Sequence, residues 1–542
     1  MSSEVQHLAS QLKTAEEQGD GTFLTDLVGT CLQDHASKSD SGLENIAKAI
    51  VVADVSSCLD SLVLVPMLLI SCHPQSAEFL KLLARRASPK EVTLTVQESL
   101  EQMHSKMNNE LDDSSEDPGW IDLQVSHLIS LIDMYGEAIP RLRPRKNILS
   151  PTLTPLFTDL RRIIVDISVH LEVAQGRALV RSVSRMVASV HVWVTQRGSS
   201  DPKDLSDSKS MLVGLVLTTL EACQYQIQSC LAIRTFQRLY PKIAFNMRPA
   251  EGWQDGDSMI TEVAENLALI RANTSSELRL GDLIIGSHVP DYQKVGKWRG
   301  PDFLAVTASA LASNIATDES LAMLLMSCNE MLQQNEPMSP MASSQILQYL
   351  AAMASLDPDP SMRLITFRLM SMILTLTPTV DRLHILADLI EQFPAPQMRV
   401  SAINLTKEAV LQALDDPSPS LFASSDFFRS LGPKIFRHEI LGPENSSTTQ
   451  EEFCESAEPA RVTECLSLYF IMLRRDRDDR TGVRNPDTRQ LIESRFLAPL
   501  RIALSEWDNP GSTHHHFSPL AGLRIALQRV DETLSALDVE GK

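Results

Sequence analysis

PSMRLITFRLM, residues 360–370, returns thirty-six residues later as PQMRVSAINLT, residues 396–406. Each copy opens on a proline, places Met-Arg two positions on, and continues as an apolar-rich segment without a strand-like alternation. A proline pre-sets the backbone for the first turn of a helix and lacks the N–H that this turn would leave unpaired. A period near forty residues is that of helix-pair arrays, in which no single pair can bury its own oily face and neighbours must stack. The repeat therefore predicts an all-α, helical-repeat (HEAT/armadillo-like) solenoid. Pro360 and Pro396 should open the second helices of two pairs, with Arg363 and Arg399 in the first turns and Met362, Leu364 and Leu369 on the packed side.

The rest of the chain carries the same signal. Leu8 and Leu12 share one helical face, as do Phe79, Leu80 and Leu83, and the run from Leu156 to Leu171 keeps the helical period. The 542 residues are 43% apolar but only 5% aromatic, with 21 glycines, a balance that favours helix over sheet. A chain of this length needs several cores or one repetitive array. Polar breaks suggest an N-terminal helical-repeat block over 1–198, a linker over 199–210 (SSDPKDLSDSKS), a middle helical segment with loops over 211–300, and a C-terminal helical-repeat block over 301–542. The acidic stretch NNELDDSSEDPG, 108–119, reads as a solvated loop.

A formal net charge of -20 argues against nucleic acid or an anionic membrane as the direct ligand and leaves a protein as the expected partner. The N-terminus has no apolar signal core, and the greasiest run, Leu62 to Ile70, is broken by Pro66. Eight scattered cysteines without a CxxC pattern fit reduced thiols of a cytoplasmic protein, with the nucleus as a second compartment. Cys223 and Cys230, seven apart, read as core residues on one helical face.

No nucleophile elbow, phosphate loop, zincin helix or dinucleotide turn is present, so no catalytic residue, cofactor or metal ligand is expected and the chain reads as a non-enzyme. His514, His515 and His516 read as a solvated turn. The basic clusters Arg141 to Lys146 and Arg161–Arg162 lack interleaved aromatics and read as solvated helix ends. Tyr292, Lys297, Trp298 and Arg299 form a loop with the composition of a binding hot spot, for which an ordinary packed loop is the simpler account.

The densest charge lies in LRRDRDDRTGVRNPDTRQLIESRFLAPLRIAL, 473–504, where Arg474 to Arg484 holds five arginines and three aspartates. The apolar run from Cys465 to Leu473 precedes it as a buried helix would. Asn485 and Pro486 form an N-cap and first helical proline, after which Ile492, Phe496, Leu500 and Leu504 recur every four residues. Pro499 should kink or split that helix, and Gly482 supplies a permissive turn.

Thr481, Gly482, Ile492, Glu493, Phe496, Leu497, Pro499 and Leu500 resemble the C-terminal signature of the glomulin and Yap-binding protein family, which includes a plant lateral-root protein and kinetochore-associated fungal members. In that signature an apolar helix leads into a charged segment, Thr-Gly, and a helix of the form I-E-x-x-F-L-x-P-L. The resemblance implies a non-enzymatic adaptor. Its partner would be a Yap-type bZIP factor of the oxidative-stress response or, in the glomulin manner, the RING-box subunit of a cullin ubiquitin ligase, masked from the conjugating enzyme. A structural kinetochore scaffold is the third option. Arg484 and Asn485 stand where many relatives carry a Trp-bearing segment, which favours the Yap-type reading.

From Arg461 to Arg501, nine arginines face six acids, a local +3. Arginine suits bidentate contacts to carboxylates, so Arg474, Arg475, Arg477, Arg480, Arg484 and Arg489 are the candidate partner-binding residues, for an acidic surface. Charge reversal at Arg477 and Arg480 is expected to weaken capture while leaving helicity intact.

Overall fold

The computed structural model describes every residue except 1–2, 34–41, 57, 72, 74, 111–118, 144–147, 198–200, 272–277, 290–299, 439–440, 442–448, 508–518 and 541–542. No strand occurs among the described residues, and the fold is all-α, of the helical-repeat type. The chain divides into two compact units, Met1–Leu231 with Arg248–Ser320, and Ala232–Met247 with Leu321–Lys542.

The first unit begins with α1 (Ser3–Gln18), α2 (Phe23–Gln33), α3 (Gly42–Ala53), α4 (Ser61–Ile70), α5 (Ser76–Arg86), α6 (Pro89–Glu110) and α7 (Gly119–Ala138). It continues with α8 (Ser150–Ser168), α9 (Val173–Arg197), α10 (Pro202–Ala222) and the single turn α11 (Gln224–Ile227). Helix α12 (Leu231–Leu239) falls almost wholly in the second unit, and α13 (Trp253–Arg271), α14 (Leu280–His288) and α15 (Pro301–Ala312) return to the first. Two rows result. Helices α2, α4, α6, α8, α10 and α14 pack each on the next, as do α1, α3, α5, α7, α9 and α13. Helices of one row also touch those of the other, α6 on α7 and α9 on α10 among them. One continuous core, mostly of aliphatic side chains with Phe79, Tyr135, Phe157 and Trp193 among them, fills the space between, from Val5 to Ala316. This is repeat stacking: each helix is covered by its sequence neighbours and by the next in its row.

Polar side chains hold the irregular end of this unit. Buried Arg177 donates to the carbonyls of Gln226, Ile227 and Gly252, supplying partners to the exit of α11. His288, fully buried, lies 2.9 Å from Asp257 and 3.7 Å from Glu319. Burial alone would lower its pKa, but the two carboxylates overcome this and raise it to about 9.

Several expectations need correction here. The linker expected over 199–210 is, from residue 202 onward, the start of α10. Asp201 caps it by accepting from the Lys203 N–H, Pro202 occupies the first turn, and buried Asp204 accepts from the Leu149 and Ser150 N–H groups. A polar, proline-bearing stretch was thus a helix start, whose capping residues have the composition of a linker. Cys223 and Cys230 do not share a helical face, because α10 ends at Ala222 and both Gln228 and Cys230 have positive φ. Cys223 is buried in the core.

The second unit contains α16 (Thr317–Gln334) from Leu321 onward, α17 (Pro340–Leu356), α18 (Pro360–Leu376), α19 (Thr379–Glu391), α20 (Pro396–Asp415), α21 (Ser425–Ser430) and α22 (Gly432–Ile435). After these come α23 (Gln450–Glu455), α24 (Glu458–Arg475), α25 (Pro486–Ile492), α26 (Ala498–Glu506) and α27 (Pro519–Glu540). Pro360 and Pro396 open α18 and α20, the second helices of the pairs α17–α18 and α19–α20. Asp359 caps α18 by accepting from the Ser361 N–H at 2.8 Å. Arg363 turns back to the Asp357 carbonyl at 2.7 Å, near the end of α17. The packed row of α18 is Ile365, Leu369, Met372, Ile373 and Leu376. Of the residues expected on the packed side, Leu369 is buried, whereas Leu364 is 40% exposed and Met362 only partly buried; Ile365, one position or about 100° of rotation from Leu364, is buried instead.

Candidate protein-binding surface at the C-terminal signature

Helix α24 buries Val462, Cys465, Leu466, Leu468, Tyr469, Met472 and Leu473 against α20 and α27. Beside it the rings of Phe436, Tyr469 and Phe496 meet edge to face, with centroids 5.7 and 5.8 Å apart from Phe436. His438 stacks on Phe496 at 4.9 Å, and its Nε2 lies 2.7 Å from the Phe496 carbonyl, an oxygen that can only accept, so this nitrogen carries the proton. Buried Arg461 pairs with Glu458 at 2.7 Å and reaches the Ile435 carbonyl. Phe496 is thus fixed in an aromatic nest, where such pairs add about 0.5–1.5 kcal/mol each beyond area burial.

At the end of α24 the charged stretch folds into a knot around Asp476, which is 2% exposed. Its carboxylate accepts from the backbone N–H groups of Arg480 and Thr481 at 2.9 and 2.7 Å and from the Thr481 hydroxyl at 2.6 Å. Asp479, in the left-handed region at φ 51°, accepts from the Arg484 N–H at 2.8 Å, and Gly482 takes φ 72°. The Thr-Gly step therefore has a physical role: Thr481 closes the knot with two donors, and Gly482 takes a conformation that a Cβ would strain. Asp476 escaped the sequence reading, although an aspartate five residues before a buried threonine was the available signal.

The six candidate arginines divide. Arg474, Arg475 and Arg477 are exposed, the first two in the last turn of α24, where positive charge also complements the helix dipole. Arg480 instead donates to the carbonyls of Asp416 and Ser418 at 3.2 and 3.3 Å, just beyond α20. Arg484 returns to the Leu473 carbonyl at 2.8 Å. Arg489 pairs with Asp538 of α27 at 2.7 Å. Charge reversal at Arg480 would therefore also release the tether between the knot and the end of α20, so Arg477 is the cleaner position at which to test capture.

Beyond the knot, the Asn485 side chain accepts from the Asp487 N–H at 2.9 Å and caps α25. A π-helical segment, Glu493–Leu497, then separates α25 from α26. It lies immediately before Pro499, whose ring would clash with the carbonyl four residues back in a regular helix. Ile492, Phe496, Leu497, Leu500 and Leu504 are all buried. Glu493 and Asp531 each bind Arg501 at 2.5 Å, raising its pKa above the usual arginine range through hydrogen bonding to Asp531 despite partial burial.

Of the other basic residues, Arg141 donates to the Ala84 and Ala87 carbonyls at 2.6 and 2.7 Å, while Arg161 and Arg162 are exposed. Arg145, Lys146, the loop with Tyr292, Lys297, Trp298 and Arg299, and His514 to His516 lie outside the described residues. Among the described residues, no group of three His, Cys, Asp or Glu side chains is placed to hold a metal, and no helix is long and apolar enough to cross a membrane. A groove of about 660 Å³ in the first unit is lined by Leu43, Ala47, Val51, Val52, Phe79 and Leu82. Lys48 and Glu44 pair on its rim at 2.5 Å.

Among solved structures the chain is similar to Lph2, "a novel bidirectional nuclear transport receptor in S. cerevisiae", at 14% identity and a TM-score of 0.28, over 97% of this chain and 57% of that one. It thus spans a little over half the length of that receptor. None of the curated proteins matches it. Residues 303–523 match the family described as "Uncharacterised protein family, YAP/Alf4/glomulin". That region contains both the Asp476 knot and the helix from Ile492 to Leu500, and over it the chain is similar to the YAP/Alf4/glomulin family.

Proposed function

We propose that the chain is a non-enzymatic adaptor that captures an acidic face of a partner protein on Arg474, Arg475 and Arg477, the partner being a Yap-type bZIP factor of the oxidative-stress response. The observation that carries this reading is the placement of three exposed arginines within four positions, Arg474 and Arg475 in the last turn of α24 and Arg477 in the knot whose backbone is held by a buried carboxylate. Held donors lose less freedom on binding than mobile ones, and planar guanidinium groups match carboxylates in pairs. Arg480 and Arg484 serve by positioning the loop, and Arg489 by holding α27.

The test compares affinity purification of the wild-type chain and of Arg474→Glu/Arg475→Glu/Arg477→Glu from the native host. A bZIP factor recovered with the wild type, and at least about tenfold less with the variant, is the expected result. A RING-box and cullin pair would move the reading to ligase inhibition, and kinetochore subunits to a scaffold. Equal recovery of every partner by the two proteins would sink the arginine surface itself.

A further inference from the structure

Six Ser-Pro or Thr-Pro steps occur among the described residues: Ser88, Ser150, Thr154, Ser339, Thr377 and Ser418. Ser88 and Ser339 directly precede helices, Ser150 and Thr154 lie within α8, and Thr377 is buried at the end of α18. Ser88, Thr154 and Ser339 are exposed as well, but each opens or lies within a helix. Ser418 is exposed in a non-helical stretch between α20 and the 3-10 turn Leu421–Ala423, at a bend where its N–H bonds Asp416, with extended backbone on either side at Asp416 (φ -92°, ψ 125°) and Ser420 (φ -137°, ψ 141°). A kinase cleft takes an extended segment, and a following proline brings no N–H that the cleft must satisfy.

The surroundings of Ser418 are electrically divided. Its hydroxyl donates to Asp416, whose carboxyl is held below the usual range chiefly by that bond. Its carbonyl accepts from Arg480 Nη2 at 3.3 Å, and the same guanidinium holds the Asp416 carbonyl at 3.2 Å. The hydroxyl thus bonds a carboxylate that needs it as a donor, while the carbonyl of the same residue holds a cation that a phosphate could use.

We propose that Ser418 is a modification site for a proline-directed protein kinase, and that Arg480 receives the phosphate and so couples the modification to the arginine knot. ATP supplies the phosphoryl group: the bond from its γ-phosphorus to the ADP oxygen breaks, a bond to Ser418 Oγ forms, and the hydroxyl proton passes to the kinase's base. The product carries about -1.5 to -2 charges, loses the donor that Asp416 used and is repelled by that carboxylate. Its oxygens offer Arg480 charge-assisted hydrogen bonds, stronger than the three carbonyl contacts at 3.2–3.5 Å that the guanidinium now makes. Arg480 turns toward the phosphate, the tether between the knot and α20 is rebuilt, and the positive charge of the surface falls. This last consequence rests on the adaptor reading; the site and its Arg480 contact do not.

The experiment incubates the full chain, and Ser418→Ala as control, with a purified proline-directed kinase and ATP, and maps phosphate by mass spectrometry. Phosphorus NMR then titrates the phosphoserine in the protein, in Arg480→Gln and in a free peptide of residues 412–424. Expected are phosphate at Ser418, a second phosphate pKa lower in the protein than in the peptide, and loss of that difference in Arg480→Gln. Affinity for a labelled hexaglutamate peptide should fall about three- to tenfold on phosphorylation. Absence of phosphate at Ser418 overturns the site, and equal titration in all three overturns the role of Arg480. Unchanged hexaglutamate affinity overturns the coupling. Failure of the unmodified protein to bind hexaglutamate sinks the adaptor reading instead, and the two phosphate results then still decide the site.

Discussion

Arg475 and Arg480 carry the same guanidinium five positions apart, yet one faces solvent and the other grips backbone carbonyls beyond α20. The difference is made by Asp476, whose carboxylate turns the chain back on itself between them. Composition announced a charge-dense segment but not which charges were committed, because direction depends on a turn closed by a buried group. Removing that group leaves two N–H donors and the Thr481 hydroxyl without their acceptor. Asp476→Ala should therefore cost about 2–4 kcal/mol, whereas Asp478→Ala, at an exposed position of the same loop, should stay within about 0.5 kcal/mol. Urea unfolding of the two variants beside the wild type checks this. Equal midpoints would mean that the knot contributes nothing.

At the scale of helices, period and packing decide different things. Ile492, Phe496, Leu500 and Leu504 step by four, which drifts about 40° per step on a regular helix, or about 120° over the three steps. The wider π turn over Glu493–Leu497 takes up part of that drift, and all four side chains are buried. The four-residue period and Pro499 were legible in the sequence; the π turn that reconciles them was not. Glycines show the same division. A Cβ on Gly256 of α13 would lie 2.0 Å from the Ile227 carbonyl oxygen, a backbone atom that cannot step aside, whereas a Cβ on Gly522 in α27 would meet nothing within 4 Å. Gly256→Ala should destabilise by more than about 2 kcal/mol, since α13 must move off α11. Gly522→Ala should stabilise by about 0.5–1 kcal/mol through helix propensity alone. Opposite shifts in the denaturant midpoint are the expected reading, and shifts of the same sign would refute the packing argument.

Over the whole molecule, a net charge of -20 surrounds a C-terminal segment with a local +3. The two fields act over different distances. At about 0.01 M salt the Debye length is about 30 Å and an acidic partner feels the repulsion of the entire chain; near 0.15 M it is about 8 Å and the arginine contacts dominate. Affinity for the hexaglutamate peptide should consequently rise from 0.01 M to about 0.1 M salt and fall again towards 1 M. Anisotropy titrations across that range provide the check, and a steady decline from the lowest salt would show that the distant acids play no part. The sequence by itself determined the all-α repeat fold, the helix pairs opened by Pro360 and Pro396 and the family signature, because helical period, caps and prolines act between residues a few positions apart. It misjudged residues 202–210 and Leu364, where a cap has the composition of a linker and where one residue rotates a side chain by about 100°. Only the tertiary structure decided which arginines remain exposed and that Arg480 meets Ser418. Those two residues lie 62 positions apart, and a contact over such a distance is set by how helices stack rather than by any local preference of the chain.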